Sequence, residues 1–170
     1  MDGPKQRDYT VKVSAVTANA ILDQYALDTE KPREWAHSSG GYIAALGRSL
    51  FAPYLFSFDN TRERGSIRVQ IVDPACSGNY FCEATAQIAG REPVRVPAGT
   101  FDTIKVQVDH NWRPSGTATL SARTYGSRRL TIWYAPAVKR AVKYTSRQTF
   151  GQNEPVDTHF DLELVSYQVQ

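Results

Sequence analysis

The sequence predicts a mainly β fold, a curved antiparallel sheet forming a half-open barrel of about ten strands, with one or two short helices at most. Three observations carry this. Segment after segment alternates apolar and polar residues with period two. Gly, Pro, Asn and Ser clusters punctuate those segments at short intervals, with no alternating helical patterns between them, as in antiparallel sheets. Hydrophobic residues make up 41% and aromatic residues 11% of the 170 positions, enough for a core without covalent staples. A long twisted sheet of this kind curls rather than staying flat.

The elements follow in order. Tyr9–Val16 places Tyr9, Val11, Val13 and Ala15 on one face and Thr10, Lys12 and Ser14 on the other. Residues 17–20 turn, and Ile21–Leu27 returns, so 8–27 is expected to be an N-terminal hairpin. Asp28–Gly41, with Pro32 and Ser38-Ser39-Gly40-Gly41, reads as a loop. Tyr42–Leu50 fits a short helix or a strand with a glycine bulge, so 28–50 is assigned as loop or short helix. Phe51-Ala52-Pro53-Tyr54-Leu55-Phe56-Ser57-Phe58 opens the main sheet region, 51–170. It is densely aromatic, either a buried wall or an exposed adhesive segment, and Pro53 argues against a central strand. Asn60–Gly65 is a charged turn.

Ser66–Val72, Phe81–Ile88, the short Pro93–Val96 and the long Phe101–His110 continue the strand pattern. Thr117–Ala122, Arg129–Tyr134, Arg140–Phe150 and Thr158–Val169 complete it. The last two should form a hairpin across Gly151–Pro155. The register that matches both faces sets Tyr144 opposite Phe160 and Val142 opposite Leu162. Lys143 then meets Asp161, and Arg147 meets Asp157. One β domain spanning 1–170 is expected.

Net charge is +3, unevenly spread. From His110 to Asn153 there is no Asp or Glu, while Arg113, Arg123, Arg128, Arg129, Lys139, Arg140, Lys143 and Arg147 occur with Trp112, Tyr125, Trp133, Tyr134 and Tyr144 interleaved. Such a stretch suits an anionic partner, or is a strand face balanced by acids elsewhere in the chain. Alternation with apolar residues favours the second, and no aromatic RNA-recognition signature accompanies it, so no nucleic-acid partner is expected.

Cys76-Ser77-Gly78-Asn79-Tyr80-Phe81-Cys82 encloses turn residues. A tight turn suits a structural disulfide between Cys76 and Cys82, hence an oxidising compartment; the alternative is two unpaired thiols. The spacing is not that of a zinc or redox site. The three histidines, His37, His110 and His159, belong to no nucleophile elbow or metal-ligating motif. The sequence therefore predicts no enzyme, no metal and no cofactor. No run of eighteen apolar residues occurs, and the first residues carry no apolar leader. An exported chain would have its signal upstream of this sequence.

Val94-Arg95-Val96-Pro97-Ala98-Gly99-Thr100-Phe101-Asp102, followed downstream by Trp133-Tyr134-Ala135-Pro136-Ala137-Val138-Lys139, resembles a signature of bacterial exported domains of unknown function. Those domains resemble the LolA/LolB-type lipoprotein-carrier fold, a curved half-barrel with an apolar concave face. The resemblance implies a periplasmic or otherwise exported, non-catalytic cell-envelope module that binds a hydrophobic or lipid-like ligand, with peripheral membrane association open. The candidate ligand-binding residues are Phe51, Tyr54, Phe56, Phe58, Trp133 and Tyr134. The alternative is a structural or assembly protein that uses the same aromatic surface against another envelope protein.

Overall fold

The computed structural model describes residues 6–16, 20–38, 43–44, 66–68, 71–72, 80–114, 125–138, 140–150 and 156–168. The chain clusters into two compact units, Met1–Gly41 and Tyr42–Gln170.

The first unit is a three-stranded antiparallel meander of β1 (Tyr9–Val16), β2 (Ala20–Leu27) and β3 (Arg33–Ser38), in that order. The N-terminal hairpin is as expected, with Val11 opposite Tyr25. The register shifts between Val13 and Ala15, and the Ser14 hydroxyl lies 3.1 Å from the Leu22 carbonyl and 2.9 Å from the Glu34 carboxylate. Asp28 closes the open end of this hairpin. It adopts a φ of 51°, which Asp tolerates because its short side chain bonds locally. Its carboxylate accepts the Asp8 N–H at 2.8 Å and the Arg7 Nε–H at 2.8 Å, and its own N–H donates to the Asp8 carbonyl at 2.7 Å. The Asp8 N–H, then Arg7, hold the Asp28 carboxyl below its usual range. The loop expected over 28–41 is corrected: Arg33–Ser38 is a strand that pairs Leu22 with Ala36. Pro32 stops just short of it, so the missing N–H costs the ladder nothing.

In the second unit β4 (Ile43–Ala44) and β6 (Ile71–Val72) form a short parallel pair. The main sheet contains β5 (Ser66–Arg68), β7 (Tyr80–Val96), β8 (Gly99–Pro114), β9 (Gly126–Ala135), β10 (Arg140–Phe150) and β11 (Val156–Glu163). Its order is β11-β10-β9-β8-β7-β5, every pair antiparallel, so five long strands are flanked by a three-residue edge. The sheet is not closed into a barrel, and no helix occurs among the described residues.

β7 merges the two strands expected at Phe81–Ile88 and Pro93–Val96. The register slips by one between Ile88 and Gly90, and Gly90 has a φ of 143°. That region is costly for residues with a Cβ, so the glycine is a β-bulge within one strand rather than a break. Pro93 lies opposite Asp102 in β8, beyond the Thr85–Gln87 segment that β5 pairs. Pro97 and Ala98 turn the chain into β8, and Gly99 sits at φ 137°.

Two buried zones hold the unit together. Along β8, Ile104, Val106, Val108 and His110 are buried together with Leu130 and Tyr144 of the neighbouring strands. At the other end Val96, Phe101, Ala135, Val138 and Val142 form a cluster, with Val94, Ala98, Trp133 and Leu164 packed against it. Thr103 and Ile104 are adjacent and both buried, so β8 is covered on both faces where the two zones meet. The second zone unites the two turns of the sequence signature, Val96–Gly99 and Ala135–Val138.

The tail completes that zone. A strand expected to run to Val169 instead ends at Glu163. The Leu164 N–H donates to the Val142 carbonyl at 2.8 Å, and its carbonyl accepts the Ala98 N–H at 3.0 Å. Tyr167 then meets Phe101 edge-to-face, centroids 5.6 Å apart. Residues 164–167 thus strap β10 to the β7–β8 turn.

The final hairpin forms, but its register differs from expectation by two residues. Tyr144 lies opposite Leu162, Lys143 opposite Glu163, Arg147 opposite His159 and Thr149 opposite Asp157. An even slip leaves every side chain on its face, so alternation excludes only odd slips. The expected register would have carried Pro155 into the ladder, where it has no N–H to donate. The observed one brings Lys143 Nζ to 2.8 Å from Glu163. Tyr144 and Phe160 remain diagonal neighbours, edge-to-face at 6.4 Å.

Candidate functional site: an aromatic depression at one end of the sheet

Of the residues expected to bind ligand, Phe51, Tyr54, Phe56 and Phe58 lie outside the described residues, as does Cys76. Cys82 stands in β7 opposite Trp112. Trp133 and Tyr134 take opposite faces of β9, with Trp133 beside Lys105 and Tyr134 beside Ile104.

Trp133 is engaged on all sides. Its Nε1–H donates to Glu92 Oε1 at 2.5 Å. Lys105 Nζ lies 5.3 Å and Lys143 Nζ 5.8 Å from its ring, within cation–π range. Lys105 also pairs with Glu92 at 3.1 Å, and Lys143 with Glu163 at 2.8 Å. The register lines up Lys105, Trp133, Lys143 and Glu163 across β8 to β11, and Glu92 joins the row from β7. The result is a stripe of acid, cation, indole, cation and acid. The indole N–H, then Lys105, hold the Glu92 carboxyl below its usual range.

Other members of the basic stretch are satisfied in the same manner. Arg129 pairs with Asp109 at 2.7 Å, and Arg128 donates to the Gln148 amide oxygen from Nε at 2.9 Å. Burial pushes the Tyr144 phenol well above its ordinary value. The expectation of a strand face balanced by acids therefore matches the geometry at Arg129 and Lys143, while Arg128 meets a neutral amide.

At the opposite end of the sheet the aromatics are open. An open depression of about 370 Å³ is lined by the starts of β7 and β9 and the end of β8. The register sets Phe81 opposite Arg113 and Glu83 opposite Asn111 on one face, with Trp112 and Gly126 paired on the other. Phe81 is 56% and Tyr125 46% exposed, and the Arg113 guanidinium lies 5.3 Å from the Phe81 ring centroid. Gly126 is required there for space. A Cβ at this position would stand 2.2 Å from Cζ2 of Trp112, so the indole lies directly over the glycine backbone, as aromatic residues do over strand glycines. His110 abuts the inner side of Trp112, centroids 5.1 Å apart.

The sequence flags Trp112, Arg113 and Tyr125 as interleaved aromatic and basic residues, but not as a site. Only the β7–β8–β9 register joins them to Phe81 and Glu83. Among the described residues no three His, Cys, Asp or Glu side chains come together to hold a metal ion. Comparison with family models, curated proteins and solved structures returns no match, so the resemblance to exported envelope domains rests on the quoted residues alone.

Proposed function

We propose that this chain is a non-catalytic binding module of the cell envelope, taking a ligand with an apolar face in the depression at Phe81, Trp112 and Tyr125. The observation that carries this is the exposure of the Phe81 and Tyr125 rings beside a concavity of about 370 Å³. Its size falls within the range of small-molecule sites, and it combines apolar walls with a few convergent polar groups. The carrier-like version of the reading adds a half-open barrel with Phe51, Tyr54, Phe56 and Phe58 at its mouth, and a Cys76–Cys82 bond formed on export. Native mass spectrometry of protein recovered from an envelope fraction tests it. A co-purifying small molecule that is lost in Tyr125→Ala supports the reading. A bare mass for both proteins, with no ligand retained, refutes it.

A second reading rests on the composition of the same patch. Tyr, Trp and Arg are the residues that dominate protein–protein hot spots, and Phe81, Arg113 and Tyr125 form an exposed row. An assembly protein would then hold another envelope protein there, and the same preparation would carry a protein partner in place of a small molecule.

A further inference from the structure

We infer that the ligand of the Phe81–Trp112–Tyr125 depression is a neutral oligosaccharide. This rests on the proposal that the depression is a binding site, and goes further by naming what enters it. The polar groups of the lining decide the class. They are Glu83, Asn111 and Arg113, one carboxylate acceptor, one amide with both functions, and one guanidinium with donors only. Their formal charges cancel. A polyanion would meet Glu83, and a polycation would meet Arg113.

An acyl chain fits poorly for two reasons. It would cover three planar polar groups without pairing them, and leaving buried polar groups unpaired is costly. It also needs an enclosing site that removes most of its surface from water, whereas this depression is open. A pyranose matches both halves of the lining. Its C–H-rich face lies flat on an aromatic ring, an amphipathic role Tyr and Trp perform well. Its vicinal hydroxyls each donate and accept, so they can satisfy a carboxylate, an amide and a guanidinium together. An open depression does not enclose its ligand, so it accommodates an oligosaccharide that extends beyond it.

Phe81 is held in advance of binding, under Arg113 at 5.3 Å, while the Trp112 indole lies over Gly126 and beside His110 on the other face of the sheet. Sites pre-organised in this way lose little rotamer entropy on binding.

The test is a neutral glycan array, followed by titration calorimetry of the full chain with maltohexaose, cellohexaose and N-acetylchitohexaose. Oligogalacturonate and palmitate serve as anionic and apolar comparisons. At least one neutral glycan should bind, with affinity unchanged between about 50 and about 500 mM NaCl because no net charge is neutralised. Tyr125→Ala and Phe81→Ala should each weaken it roughly tenfold, with the far-ultraviolet spectrum of the sheet retained because both side chains are exposed. Trp133→Phe, whose ring lies in the closed stripe, should bind as the parent does. If palmitate binds in a Tyr125-dependent manner and no neutral glycan does, the saccharide assignment falls while the binding-module proposal stands. Salt-sensitive binding of oligogalacturonate alone has the same consequence. If none of these probes binds and no array glycan is retained, the saccharide assignment is overturned, and the native mass of the envelope preparation alone decides the binding-module proposal.

Discussion

Replacing Trp133 by Phe removes the indole N–H from the stripe between Glu92 and Glu163. The benzyl ring keeps a stacking surface for Lys105 and Lys143 but has no N–H for Glu92. A hydrogen bond to a charged group contributes about 1.5–3 kcal/mol when buried. The Glu92 side chain is 43% exposed and keeps Lys105 at 3.1 Å, so solvent screening brings the loss to about 1 kcal/mol. A phenyl ring is also a weaker cation–π partner than an indole, which removes roughly a further 0.5 kcal/mol over the two lysines. Trp133 packs against the Val96–Val142 cluster, and the smaller ring leaves a gap there that adds about 1 kcal/mol. Urea unfolding at pH 7 should therefore show a loss of about 2–2.5 kcal/mol with an unchanged slope.

The pH dependence separates the bond from the packing. Glu92 is lowered in the folded state by the indole N–H and then by Lys105. Its contribution is present above the unfolded carboxyl value of about 4.3 and disappears as pH falls through the depressed folded value. The difference between parent and variant should thus shrink by about 1 kcal/mol as pH is lowered from about 7 to about 2.5, leaving the packing part. An identical difference at both ends of that range would show that the N–H to Glu92 bond contributes nothing to stability.

Other consequences are more quickly stated. Gly126→Ala must push Trp112 aside, since the new Cβ would lie 2.2 Å from the indole; a loss of about 1–3 kcal/mol with a shifted tryptophan emission is expected, and an unchanged spectrum and melting temperature would contradict the contact. Phe101→Ala should cost about 3–5 kcal/mol as a buried ring, and Tyr167→Ala only about 0.5–1.5 kcal/mol as its half-exposed edge-to-face partner. If Tyr167→Ala costs nothing measurable in chemical denaturation, the tail does not strap the turn. Tyr144 is held protonated by burial, so stability is unaffected below the unfolded phenol value of about 10 and falls as pH rises above it. Absorbance titration should find one tyrosine ionising only with unfolding, and Tyr144→Phe should flatten the alkaline limb of the stability profile.

The strands were legible wherever alternation was uninterrupted, as in Tyr9–Val16 and Phe101–His110, because a sheet with one apolar face writes its period into the chain. The Pro97–Gly99 turn was legible for a similar reason: few residues other than glycine adopt the φ of 137° found there. β3 is not legible in the sequence, because Pro32 before it and Ser38-Ser39-Gly40-Gly41 at its end punctuate the segment as a loop while its backbone pairs with β2. The sequence pattern divides β7 into two strands because the alternation is interrupted around Gly90, whereas the bulge there keeps the ladder while shifting it. Register was the least legible quantity. The two-residue difference in the final hairpin changes every partner and no face, so a pattern of faces cannot detect it.

The same limit explains why the aromatic residues could be found in the sequence and their roles could not. Trp133 and Tyr125 stand in one basic, acid-free stretch and look alike from composition. Their fates are set by what the ladder puts beside them. Trp133 is central in β9, with Lys105 on one side, Lys143 on the other and an acid beyond each, so its faces and its N–H are all consumed within the sheet. Tyr125 immediately precedes β9, next to a glycine that contributes no side chain, and it stays 46% exposed. Arg113 repeats the contrast, since it rests on the Phe81 ring with no carboxylate paired to it among the described residues, whereas Lys105 and Lys143 each hold one. Among the described residues the aromatic rings that stay exposed are those that the ladder leaves without close side-chain partners, as at Phe81 and Tyr125, and the proposed binding site rests on that exposure.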